Sequence, residues 1–88
     1  MNVSFRKSFQ RDVKKIKDAA VLDRVREVIE EVEAAEGIHA IGNLRKISGT
    51  ANCHRIRIGD DRIGIIVEDD EAEFVRCLPR RDLDRFFP

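Results

Sequence analysis

The stretch Cys53-His54-Arg55-Ile56-Arg57-Ile58-Gly59-Asp60-Asp61-Arg62-Ile63-Gly64-Ile65-Ile66-Val67 decides the fold. Arginine alternates with isoleucine as far as Ile58, a Gly-Asp-Asp turn follows, and a nearly continuous apolar run resumes at Ile63. Successive side chains on a strand point to opposite faces, so Ile56 and Ile58 turn to a core while Arg55 and Arg57 share the other face. The spacing predicts a strand over 54–58, a turn at Gly59-Asp60-Asp61 and a second strand over 62–68, short enough for an antiparallel hairpin. The apolar density of Ile63 to Val67 is that of a strand at the centre of a sheet. Two cations in register on a rigid strand, with Arg62 just past the turn, form an anion-binding surface, and RNA backbone is the anion they suit.

Downstream, Asp69-Asp70-Glu71 marks a second turn and 73–78 a third strand, with Phe74, Arg76 and Leu78 on one face and Val75 and Cys77 on the other. After Pro79, residues 80–87 read as a short helical turn. Upstream, Val3-Ser4-Phe5 is an opening strand. Ser8 is placed to cap a helix in which Phe9, Val13, Ile16 and Ala20 recur at helical spacing. Val21, Val25, Val28, Ile29 and Val32 line the apolar face of a second helix with Asp23 in its first turn, ending near Glu36-Gly37. Leu44-Arg45-Lys46-Ile47 is a short extended segment. The expectation is an α+β fold: a strand, a helical hairpin, an antiparallel β-meander and a C-terminal helical turn. The helices cover one face of the sheet and leave the other for function.

The chain of 88 residues is expected to form one domain spanning 1–88, with 42% hydrophobic and 39% charged residues. No apolar run approaches the ~20 residues of a membrane helix, and the first residues lack the apolar core of a signal peptide. The cytosol is therefore the expected location. Cys53 and Cys77 have no metal-ligand spacing and read as reduced, small apolar residues; a bridge between them would require neighbouring strands. Net charge is zero, from 17 basic and 17 acidic residues, but the charge is segregated. Residues 1–20 carry +4, 21–36 carry −4, 37–67 carry +3, 68–73 carry −5 and 74–88 carry +2. The local field, not the sum, is what a phosphate feels.

Arg55, Arg57 and Arg62 meet on one face if the hairpin is in register, and Arg80 or Arg81 can close the set. Arginine stays charged and offers a planar fork of donors that suits phosphate. Lys46 adds a point charge at one edge. His54 has the parity of Ile56 and reads as a structural histidine rather than a general base, and His39 as a bystander. An aromatic beside an arginine cluster can stack on a base; Phe86 reads as packing, while Phe87 remains open between stacking and packing.

Lys46-Ile47-Ser48-Gly49, then His54 to Ile63, then Arg80-Arg81 and a terminal aromatic resemble, in order and spacing, the RelE/ParE toxins of bacterial type II toxin–antitoxin systems. The resemblance spans nearly the whole chain. It implies a RelE-type ribonuclease that cuts messenger RNA in the ribosomal A site without metal or other cofactor, the 2′-hydroxyl of the RNA attacking the adjacent phosphate. By position, Arg55, Arg57, Arg62 and Arg81 become the catalytic arginines, with Lys46, Arg80 and Phe87 binding RNA. A cognate antitoxin, the ribosome and mRNA become the partners. The chain has no tyrosine, and Phe87 falls where the family often has one. Two other readings stay open from the resemblance: a ParE-like inhibitor of DNA gyrase without enzymatic activity, and a homologue that retains only antitoxin binding.

Overall fold

The computed structural model describes residues 1–88. The elements follow in the order β1 (Asn2–Phe5), α1 (Lys7–Lys14), α2 (Ala19–Ala34), a single 3₁₀ turn (Ile38–Ala40), β2 (Leu44–Lys46), β3 (Cys53–Ile58), β4 (Asp61–Glu68), β5 (Glu71–Pro79) and α3 (Arg80–Phe86). The five strands form one sheet in the order β1-β5-β4-β3-β2, with β4 at its centre as its apolar run requires. All neighbours are antiparallel except β1, which runs parallel to β5. The α+β architecture expected from the sequence is the one observed.

Both hairpins are tighter than the sequence suggests. Ile58 pairs with Asp61 and Glu68 with Glu71, so each turn has two residues, Gly59-Asp60 and Asp69-Asp70. Gly59 (φ 67°) and Asp69 (φ 54°) supply the left-handed backbone such turns need.

The helical hairpin differs in its junction. Arg6, not Ser8, precedes α1 at the cap position, and α1 ends at Lys14. Ile16 and Ala20 therefore lie beyond it. Asp18, whose side chain accepts from the Ala20 N–H at 2.9 Å, caps α2 and draws its start back to Ala19, which puts Asp23 past the first turn. Ser8 instead donates from Oγ to the Val75 carbonyl at 2.6 Å.

That bond belongs to a larger arrangement. β1 pairs with β5 only from Glu71 to Phe74, and α1 takes over the edge beyond. The Asp12 carboxylate accepts from the Cys77 N–H at 2.9 Å and from Arg76 Nε and Nη2 at 2.7 and 3.0 Å. A short helix thus satisfies an edge that the four-residue β1 does not reach.

The main core lies between the helices and the sheet. Phe9, Val25, Val28 and Val32 pack against Ile56, Ile58, Ile63, Ile65, Ala72, Phe74 and Cys77. The opposite face carries a smaller cluster of Cys53, Val75, Leu83 and Phe87, closed by α3 folding back over the sheet. This face is thus only partly open, a correction to the expectation of a free surface. An irregularity in the β4–β5 register explains how one strand serves both clusters: Gly64 pairs with Arg76 and Ile65 with Phe74, which leaves Val75 unpaired. The extra residue reverses the alternation, so Cys77 joins Phe74 in the main core and Leu78 joins Val75 on the far side. Cys53 and Cys77 lie in different clusters, on strands separated by β4. No helix is long and apolar enough to cross a membrane.

Candidate active site

The register of the three strands next to α3 assembles the site. Arg45 on β2 stands opposite Arg55 on β3, and Arg57 on β3 stands opposite Arg62 on β4. Directly paired residues share a face of the sheet, so these four guanidinium groups belong to one surface. Arg80, the first residue of α3, joins them because its N–H donates to the Asp60 carbonyl at 3.0 Å, which ties the helix start to the β3–β4 turn. The result is an open cleft of about 780 Å³ lined by Arg45, Arg55, Arg57, Arg62 and Arg80, with Asp84 as its one carboxylate.

Two of the arginines are fixed by contacts within the protein. Arg62 donates from Nη1 to the carbonyls of Gly59 and Asp61, both at 2.8 Å. Burial, followed by the repulsion of Arg57, Arg80 and Arg55, holds its guanidinium pKa below the ordinary value. Arg55 donates from Nη1 to Asp84 Oδ1 at 3.0 Å. Asp61, at the end of the same turn, has its carboxyl pushed up, chiefly by burial and then by Asp60, with Arg62 opposing. Like charges stacked across a hairpin cost energy in the free protein. They are what an anionic ligand would neutralise.

Arg55, Arg57, Arg62 and Arg80 thus converge as the sequence spacing suggests. Arg81 borders a neighbouring hollow of about 480 Å³ that also reaches Arg57, Arg62 and Arg80. Lys46 pairs with His54 and lies on the helix side of the sheet, beside Met1 and Val67. The expected edge charge is therefore off by one residue, and Arg45 holds that place. Phe87 is also corrected. Only 3% exposed, it packs with Leu83 and Cys53, and its ring lies 2.7 Å from where a Cβ on Gly64 would stand. It offers no free face to a base. Phe86 is the exposed ring, at 53%, with the guanidinium carbons of Arg76 and Arg85 at 5.7 and 5.4 Å from its centroid. His54 is 4% exposed with Nδ1 at 3.1 Å from the Asn52 carbonyl, a structural histidine as read from its parity.

The fold is that of a small toxin from a toxin–antitoxin pair. The chain superimposes on one from the RelB–RelE antitoxin–toxin complex of Methanococcus jannaschii with a TM-score of 0.80 and 33% identity, covering 96% of this chain and 98% of that one. The archaeal RelE–RelB complex of Pyrococcus horikoshii OT3 gives a TM-score of 0.73 at 22% identity, covering 90% of this chain and 93% of that chain. The YoeB dimer of Staphylococcus aureus shares the fold at the same TM-score, with 18% identity over 89% of this chain and 94% of its own. No protein-family model matches the sequence. Toxin RelE3 of Methanocaldococcus jannaschii, however, is 35% identical over 89 residues, which span the whole of both proteins. This chain belongs to the RelE toxin family, on the RelE-like branch.

Proposed function

We propose that this toxin is an endoribonuclease that cuts messenger RNA on the ribosome, in the cytosol, without a metal or organic cofactor. Residues 1–88 serve as one RelE-type domain, and a cognate antitoxin holds it inactive. The observation that carries this reading is the convergence of five arginines on one cleft in a chain whose net charge is zero. In-line attack of a 2′-hydroxyl on the adjacent phosphate builds negative charge on the phosphoryl oxygens. Cations already fixed around that position stabilise the charge without reorganising at the moment of reaction. Arg57 and Arg62 face each other at the centre of this set, Arg55 and Arg80 flank them, and Arg81 reaches the same anion from the adjoining hollow. The antitoxin partner follows from the relatives in complex with RelB; an extended segment that orders over the arginine cleft would block RNA.

The test is cleavage of mRNA on programmed ribosomes by wild type and Arg57→Ala, run beside a gyrase supercoiling assay. Removing one donor of this kind lowers the rate by about 10²–10³-fold, and the exposed Arg57 side chain makes the variant safe for the fold. Inhibition of gyrase without RNA cleavage overturns the proposal. So does cleavage at the wild-type rate by Arg57→Ala.

A further inference from the structure

The arginine cleft supplies charge, but its strands bring no group that moves a proton, and the chain has no tyrosine. One side chain in the cleft can do so. Asp84 is the sole carboxylate among the cleft's lining residues and comes from α3, not from the sheet. We propose that Asp84 is the general base of the cleavage reaction, an inference that rests on the proposed RNA-cleaving activity.

The position of Asp84 is built. Its neighbour Leu83 is fully buried, and Phe87, one turn on, lies over Gly64 at 3% exposure, so α3 is pinned to the sheet on both sides of the carboxylate. Arg80 anchors the start of the helix through the Asp60 carbonyl. Between these anchors the Asp84 side chain is 67% exposed and accepts one bond, from Arg55 Nη1 to Oδ1 at 3.0 Å. Oδ2 has no partner within the protein and is free to accept from a substrate hydroxyl. Arg55 therefore orients the carboxylate on one side, while Arg57, Arg62 and Arg80 hold the phosphate beside it.

The step balances without a co-reactant. The 2′-hydroxyl proton passes to Asp84 Oδ2 as the 2′-oxygen bonds to phosphorus. The bond from phosphorus to the 5′-oxygen then breaks, the 5′-oxygen takes a proton from water, and Asp84 returns its proton to solvent. The products are a 2′,3′-cyclic phosphate and a 5′-hydroxyl.

Asp84→Asn separates this role from a structural one, because its amide carbonyl keeps an acceptor for Arg55 while losing basicity. Single-turnover cleavage on programmed ribosomes is measured from pH 6 to 8.5, with ribosome affinity measured in parallel. Positioned general bases contribute about 10²–10⁴-fold. Asp84→Asn should lose at least about 100-fold in rate at pH 7 with unchanged affinity. Its rate should then climb about tenfold per pH unit as hydroxide replaces the base, while wild type stays flat and Asp84→Glu regains part of the loss. Equal pH profiles for wild type and Asp84→Asn, or a loss confined to affinity, overturn the assignment. Absence of cleavage by wild type overturns the ribonuclease reading itself.

Discussion

Phe86 and Phe87 are adjacent, equally aromatic, and opposite in circumstance. Phe87 fills the space above Gly64, where any larger side chain on the strand would collide with it. Removing a buried phenylalanine leaves a cavity, so Phe87→Ala should lower unfolding free energy by about 3–5 kcal/mol in urea titrations. Phe86→Ala should stay within about 0.5 kcal/mol of wild type. The sequence assigns the packing to Phe86, and the structure gives it to Phe87, because which ring turns inward depends on the pitch of α3 against Gly64. Nor could the sequence separate Arg45 from Lys46: in a three-residue strand the face of each residue is set only by pairing with β3. The Cys77 thiol shows another effect of place. Burial, aided by Asp61 and Asp12, pushes its pKa from 9.0 to about 12. Between those values the unfolded chain gives up a proton that the native state keeps. Stability should fall as pH rises through that window, by up to about 1.4 kcal/mol per unit, and be unaffected below it. Alkaline denaturant titrations of Cys77→Ala should show a shallower decline than wild type.

Among the elements, α1 is the least conventional, because it finishes a sheet edge instead of only covering a face. Asp12 is central: its two oxygens satisfy a strand N–H and both arms of the Arg76 fork that reach it. Arg76 in turn has its pKa raised, chiefly by the hydrogen bond to Asp12. Breaking a buried ion pair from one side costs about 3–5 kcal/mol, since the remaining partner loses compensation. Asp12→Ala should approach that loss in urea titrations, while Ser8→Ala, which removes one bond to a carbonyl, should cost about 1 kcal/mol. Helix periodicity placed the apolar residues Phe9 and Val13 correctly. It had no access to Asp12, whose partners lie 64 and 65 residues away in the chain. The same separation of scales explains the third strand of the meander. Its existence was legible from Phe74 to Leu78, but the bulge at Val75 is a tertiary event, and it reversed the faces assigned to Cys77 and Leu78.

Over the whole molecule, the segregated charge in the sequence becomes geography. The +3 block of residues 37–67 supplies Arg45, Arg55, Arg57 and Arg62, and the final block adds Arg80. The shared face of Arg55 and Arg57 was readable because alternation on a strand is rigid: two arginines two residues apart must share a face wherever the strand lies. From α3, Arg80 was legible as closing the set, but the place of Asp84 was not, since a seven-residue helix can pack in several ways and only the small far-side cluster selects one. The pairing of Arg57 with Arg62 gives the free toxin and its complexes opposite responses to ionic strength. Added salt screens repulsion within the empty cleft, so moderate sodium chloride should raise the melting temperature of the toxin alone. The same salt should weaken the RNA binding proposed for this cleft, with log affinity falling by about 0.7 per log unit of salt for each phosphate neutralised. A toxin strained by its own arginines gains rigidity from whatever anion quiets them, so any anionic ligand of this cleft acts as a folding ligand.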